Sequence, residues 1–177
     1  MPKFDFYIAG IEPESIVNGP NIRTTIFVSG CNHNCPDCHN KEAQNFYYGE
    51  PYTYDKLYNE ISKILETNPL IEGITLSGGD PLYHPIPLIK FLKKLYDRFP
   101  GHKYSTWLYT GFVWENIMKD NGYPAELCKM CDVVVDGLYE KENKDYTQSF
   151  RGSYNQRFID VPKTIVCGKI VEWENNY

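Results

Sequence analysis

No run of the sequence stays apolar for the ~20 residues that a membrane-spanning helix needs. The first ten residues mix Lys3 and Asp5 with aromatics where a secretory leader would carry an apolar core, so a cytoplasmic chain is expected. Positive charge is also scarce: 18 Lys and Arg stand against 23 Asp and Glu, a formal net charge of -5, and the basic residues are scattered. That removes the electrostatic footprint by which nucleic acid or an anionic membrane is held, and neither is expected as a partner. Internal repeats of roughly 20–50 residues are missing, as are low-complexity tracts, which argues against a solenoid or a disordered tail. What remains is ordinary globular material, 42% hydrophobic and 23% charged over 177 residues. It is enough for one domain with its own core over residues 1–177, with 161–177 read as a C-terminal tail or an added strand.

Short β-branched runs alternate with amphipathic ones. Thr24 to Gly30, Ile71 to Leu76, Lys103 to Tyr109 and Cys131 to Val135 read as buried strands, each closing in turn residues. Asp55 to Thr67 places Leu57, Ile61, Ile64 and Leu65 at helical spacing, and Pro87 to Phe99 does the same with Leu88, Ile89, Leu92 and Leu95. Trp114 to Lys119 is a weaker third helix, joined by Ala125 to Met130 after the break at Gly122-Tyr123-Pro124, and Arg157 to Val161 is a last strand. Strands separated by crossover helices make βα units and a parallel sheet, open or part of a (β/α) barrel. In either arrangement chemistry gathers at the carboxyl ends of the strands. The chemical residues, Cys31 to Cys38, Ser77 to Pro81, Thr110 and Asp136, each follow a strand directly, so the fold is expected to bring them to one face.

Six cysteines are present, and three of them fall within the eight residues from Cys31 through Cys35 to Cys38. That is ligand spacing rather than a set of loop-closing disulfides. Three thiolates suit a four-iron cluster with one iron left open. They equally suit structural zinc, completed by His33, His39 or the Cys128-Lys-Met-Cys131 pair, and the cysteines alone do not choose between the two. If the thiols suffice, His33 and His39 are loop-surface residues, and Cys128 and Cys131 are core or surface thiols.

The turn after the second strand, Ser77-Gly78-Gly79-Asp80-Pro81, decides the matter. Missing side chains let a backbone approach a ligand, and a carboxylate accepts hydrogen bonds from an ammonium. Paired with the CxxxCxxC loop, this turn resembles the radical S-adenosylmethionine enzymes. More narrowly, Val17-Asn18-Gly19-Pro20-Asn21-Ile22-Arg23, Trp107 to Gly111, Val133 to Gly137 and Arg151-Gly152-Ser153-Tyr154-Asn155-Gln156-Arg157 are similar, in order, to the activases of anaerobic (class III) ribonucleotide reductase. Two positions depart from that pattern: Asn21 stands where a second glycine is expected, and His39 where a tyrosine is.

The resemblance implies an α/β fold, a partial (β/α) barrel of parallel strands. It implies a [4Fe-4S] cluster on Cys31, Cys35 and Cys38, and S-adenosylmethionine bound at the open iron, its amino group cradled by Gly78, Gly79 and Asp80. The backbone from Asp37 through Cys38 to His39 is then expected against the nucleoside. Arg23 is a candidate for the cofactor carboxylate or for a local acid. Ser77, Thr110 and Asp136, at strand ends, are candidates for ribose or a small cation. The implied partners are the large reductase subunit, on which a glycyl radical is formed, and a low-potential electron donor such as flavodoxin.

Overall fold

The computed structural model describes residues 4–147 and 149–174; expectations for the first three residues, Gln148 and the last three lie outside the described residues. Strands β1 (Phe6–Ser15), β2 (Arg23–Val28), β3 (Glu50–Tyr52), β4 (Gly73–Gly78), β5 (Ser105–Tyr109), β6 (Val133–Asp136) and β7 (Arg157–Asp160) form one sheet in the order β3-β1-β2-β4-β5-β6-β7. The central strands β2, β4, β5 and β6 run parallel. Antiparallel strands flank them, β1 and β3 on one side and β7 on the other. Parallel neighbours cannot be joined by a hairpin and need crossovers. These are supplied by α1 (Tyr54–Thr67), α2 (Pro85–Arg98), and the pair α3 (Trp114–Asp120) and α4 (Tyr123–Lys129).

Local chemistry accounts for the helices. The Thr53 side chain accepts the Lys56 N–H and caps α1. Leu57, Ile61 and Leu65 then recur every fourth residue and are at most 2% exposed, each side chain contributing about 1.5–3 kcal/mol by leaving water. Leu88, Leu92 and Leu95, spaced four and three residues apart, are buried in the same way on α2. Both helices pack on Ile26, Val28, Ile74, Leu76, Leu108 and Val134, which point to one face of the sheet. The opposite face holds a smaller aromatic cluster of Trp107, Val133, Val135 and Phe158, joined by Phe150 and Trp173.

The four parallel strands and their crossovers stand where the alternation puts them, with ends displaced by a few residues. Pro124 lies in the first turn of α4, so the Gly122-Tyr123-Pro124 break is a helix start. The segment 161–177 is expected from sequence to be a tail or an added strand. It begins with a helix, α5 (Val161–Cys167), and among the described residues then pairs antiparallel with β7, through the bridge between Ile159 and Glu172 and the bonds Asp160 N–H to Val171 O at 2.9 Å and Trp173 N–H to Phe158 O at 2.7 Å. The signal for α5 was present: Asp160 accepts the Lys163 N–H as an N-cap, Pro162 follows in the first turn, and Gly168 closes the helix at φ 66°.

Candidate iron-sulfur and cofactor site

Beyond β2 the chain leaves the sheet at Ser29-Gly30-Cys31 and loops through Cys35 and Cys38 to a single 3-10 turn at Glu42–Gln44. Two backbone bonds close the base of this loop, Gly30 N–H to Ala43 O at 2.7 Å and Cys31 N–H to Gln44 O at 3.1 Å. The turn after β4 is tied to the same base: Gly79 N–H donates to Val28 O at 2.7 Å and Asp80 N–H to Gly30 O at 2.9 Å. Glycine is required here by crowding. A Cβ on Gly78, whose φ is +109°, would lie 2.4 Å from the Val28 backbone; one on Gly79 would lie 2.5 Å from Gly30 O and 2.6 Å from Ala43 O. The two glycines therefore make room for the protein's own backbone and fix the spacing between the cysteine loop and the end of β4.

A cleft of about 420 Å³ opens over the carboxyl ends of the parallel strands. Cys31, Cys35, Cys38 and His39 line it from the loop, and Ser77, Gly78, Gly79 and Thr110 from the strand ends. Burial pushes the Cys31 thiol up to about 11 and raises that of Cys35, so a metal centre forming here displaces protons from the sulfurs.

Four other predicted residues are placed elsewhere. Arg23 is fully buried at the amino ends of the strands, where its guanidinium donates to Thr75 Oγ1, Ile74 O, Ser105 O and Ser105 Oγ at 2.7–2.9 Å. It braces three strand starts, and Gly73 gives it space: a Cβ there would sit 2.4 Å from Nη1. An anchoring role toward a ligand at the opposite strand ends does not fit this position. Asp136 is 1% exposed and accepts the Trp114 N–H at the start of α3 while pairing with Arg157. Asp37 is exposed and pairs with Lys141, which holds its carboxyl below the usual range. Asp80 is turned into the protein, its carboxylate accepting from Leu82 N–H, Thr110 Oγ1 and Gly111 N–H.

The far wall of the cleft was missed by reasoning from strand ends. Tyr109, Tyr139, Phe150, Arg151 and Gln156 line it. The Arg-Gly-Ser-Tyr-Asn-Gln segment is a knot that holds this wall. Arg151 Nε donates to Asp145 at 2.7 Å, Gln156 Oε1 accepts from Gly152 and Ser153 N–H, and Gln156 Nε2 donates to Gly137 O. Tyr109 Oη reaches Phe150 O at 2.7 Å. Asn21 adopts φ 63°, the left-handed conformation that glycine takes freely and asparagine tolerates, so the departure at this position keeps the lead-in turn.

His84, at the start of α2, lies with Nε2 2.7 Å from Ser29 O and braces the strand end that carries the cysteine loop. Burial lowers its pKa below 6.5, so the unfolded chain binds the proton more readily than the folded one. Its contribution to stability is complete above pH 6.5 and is lost as pH falls through the lower folded value. Urea midpoints measured from about pH 8 to pH 5 should fall with acid, and less steeply in His84→Gln; equal slopes contradict this.

Among the described residues no three His, Cys, Asp or Glu side chains converge on one point as a single ion requires. Cys128 and Cys131 are buried in the helix-sheet core, where Cys131 Sγ donates to Leu127 O. His33 is engaged by Asp80. A four-iron cluster takes each thiolate at a separate iron, and Cys31, Cys35 and Cys38 all line this cleft.

Residues 17–159 match the family model of the 4Fe-4S single cluster domain, which sets the class: an iron-sulfur protein with one cluster. Over 150 residues the chain is 37% identical to the anaerobic ribonucleoside-triphosphate reductase-activating protein of Escherichia coli, an alignment covering 81% of this chain and 92% of that one. The proteins of the same name from Salmonella typhi and Pasteurella multocida are 36% and 34% identical over 147 residues, covering 81% of this chain and 92% and 90% of theirs. The chain belongs to the family of anaerobic ribonucleoside-triphosphate reductase-activating proteins.

Proposed function

We propose that this protein activates an anaerobic ribonucleotide reductase by forming a glycyl radical on its large subunit, using S-adenosylmethionine and a [4Fe-4S] cluster held by Cys31, Cys35 and Cys38. The observation that carries the reading is the single cleft in which those thiols face Ser77, Gly78, Gly79 and Thr110, in a member of this family. The parallel run from β2 to β6 is read as a partial (β/α) barrel of the radical S-adenosylmethionine type, with its chemistry at the carboxyl ends of the strands. A reduced cluster held by Cys31, Cys35 and Cys38 would supply the one electron needed to cleave S-adenosylmethionine to methionine and a 5'-deoxyadenosyl radical, the species that would take a hydrogen atom from a glycine of the partner.

The chain's own residues bind, orient and shield. The thiolates of Cys31, Cys35 and Cys38 would hold the cluster, and the strand-end backbone at Ser77 to Gly79 with the Thr110 hydroxyl would offer polar groups to the amino acid end of the cofactor. His39 and Tyr139, with ring centroids 5.7 Å apart at the cleft, offer π-faces to the nucleoside next to Cys38. The knot at Arg151 to Gln156 keeps the far wall in place while the partner's glycine segment covers the opening and excludes water. The electron donor is a flavodoxin-like protein of the cytoplasm, the compartment that suits its oxygen-sensitive chemistry and reduced thiols.

Anaerobic reconstitution with iron and sulfide, followed by a reductant and S-adenosylmethionine, tests this. The expected products are methionine and 5'-deoxyadenosine in equal amounts. A protein that takes up zinc in place of the cluster, or that leaves S-adenosylmethionine intact, overturns the reading.

A further inference from the structure

His33 lies between the first two cysteines of the loop, and its imidazole faces inward, the side chain being only 14% exposed. Nε2 is 2.8 Å from Asp80 Oδ2. The same carboxylate oxygen accepts Thr110 Oγ1 at 2.8 Å and Gly111 N–H at 2.9 Å, and Oδ1 accepts Leu82 N–H at 2.9 Å. Asp80 is 1% exposed, so these donors replace its water entirely, and each bond to the buried charge is of the strong, charge-assisted kind. The ring is also wedged by shape. It stands edge-on to Phe112 at 4.6 Å and tilted against Tyr83 at 6.0 Å, and it fills the place a side chain at Gly111 would take, 2.6 Å from the Cβ position. One carboxylate thus joins the cysteine loop, the turn after β4 and the turn after β5.

We infer that His33 is a positioning residue of the cofactor site: its bond to Asp80 locks the cysteine loop to the Gly-Gly-Asp turn, fixing how far the cluster ligands stand from the strand ends. The inference rests on the functional reading above. It assigns Asp80 to this lock, which leaves the cofactor's amino group to the backbone and hydroxyl groups of Ser77 to Gly79 and Thr110. A partner that acts through the groups holding a metal commonly changes affinity or activity by tenfold or more when removed.

The test compares wild type, His33→Leu and His33→Gln after reconstitution. Iron and sulfide are counted, and S-adenosylmethionine is titrated into the reduced protein while the cluster's paramagnetic resonance spectrum is followed. Leucine keeps the bulk and loses the donor; glutamine places an N–H near the position of Nε2. Expected are about tenfold weaker S-adenosylmethionine binding and an altered spectrum in His33→Leu, with near wild-type values in His33→Gln. Cluster loss in the leucine variant that glutamine prevents is the same result at an earlier stage. A leucine variant that matches wild type, or a glutamine variant impaired as badly as leucine, overturns the inference and leaves the functional reading intact. A wild-type cluster that does not respond to S-adenosylmethionine overturns both.

Discussion

Cys35→Ala is expected to fold normally and to hold no cluster. The core is built from α1, α2 and the sheet, and the half-exposed Cys35 takes no part in it, so the melting transition should stay within a degree or two of wild type. Two thiolates remain, and they cannot hold a cuboid cluster against loss of iron while one of its corners is also left for the cofactor. Iron and sulfide after reconstitution should fall to background, and production of 5'-deoxyadenosine with them. Cys167→Ala, at the exposed end of α5, should keep full cluster content, since that thiol is outside the cleft. Normal iron in the Cys35 variant, or its loss in the Cys167 variant, means that other groups are the ligands.

Gly79→Val should do more damage than a blocked ligand pocket. From sequence, a branched side chain at this position threatens the space of the cofactor and the dihedral angles of the turn. In the structure it meets the carbonyl oxygens of Gly30 and Ala43 at 2.5 and 2.6 Å, both already bound, to Asp80 N–H and Gly30 N–H. Neither can retreat without opening the base of the cysteine loop, an overpacking cost of about 3 kcal/mol. Lower stability in urea and poor cluster uptake are therefore expected together. A variant with wild-type stability and full iron, weakened only toward S-adenosylmethionine, would return the glycine to the role of a ligand cradle.

How much was legible follows from how each signal arises. The four parallel strands are short, β-branched and closed by turn residues, and α1 and α2 carry unbroken apolar spacing, so periodicity found them. β1 was hidden because Gly10 and Pro13 interrupt it and register shifts at Ile8/Gly10 and Glu12/Ser15 spoil its alternation; β3 is three residues long and contains Pro51. The cysteines, Ser77, Gly78, Gly79 and Thr110 converge because the C-terminal ends of parallel strands must share one side of the sheet. Periodicity and turn chemistry place a residue near that side without saying where its side chain points. Asp80, Asp136 and Arg23 are charged residues at strand ends, and each proves to be buried among backbone donors and acceptors, as a charge must be when it leaves water. The wall at Tyr139 to Gln156 comes from a long connection whose shape is set by side-chain to backbone bonds, for which no periodic pattern exists.

The central claim is that this cleft directs a radical to one glycine of the reductase. Reduced, reconstituted protein is mixed anaerobically with S-adenosylmethionine and the large subunit, and the paramagnetic resonance signal is recorded beside that of a subunit whose candidate glycine is replaced by alanine. A doublet from the glycine α-hydrogen in the wild-type mixture, absent with the alanine subunit and absent when Cys35→Ala replaces this protein, is the result predicted. A doublet of equal strength from the alanine subunit, or no radical in the wild-type mixture while S-adenosylmethionine is consumed, would contradict it.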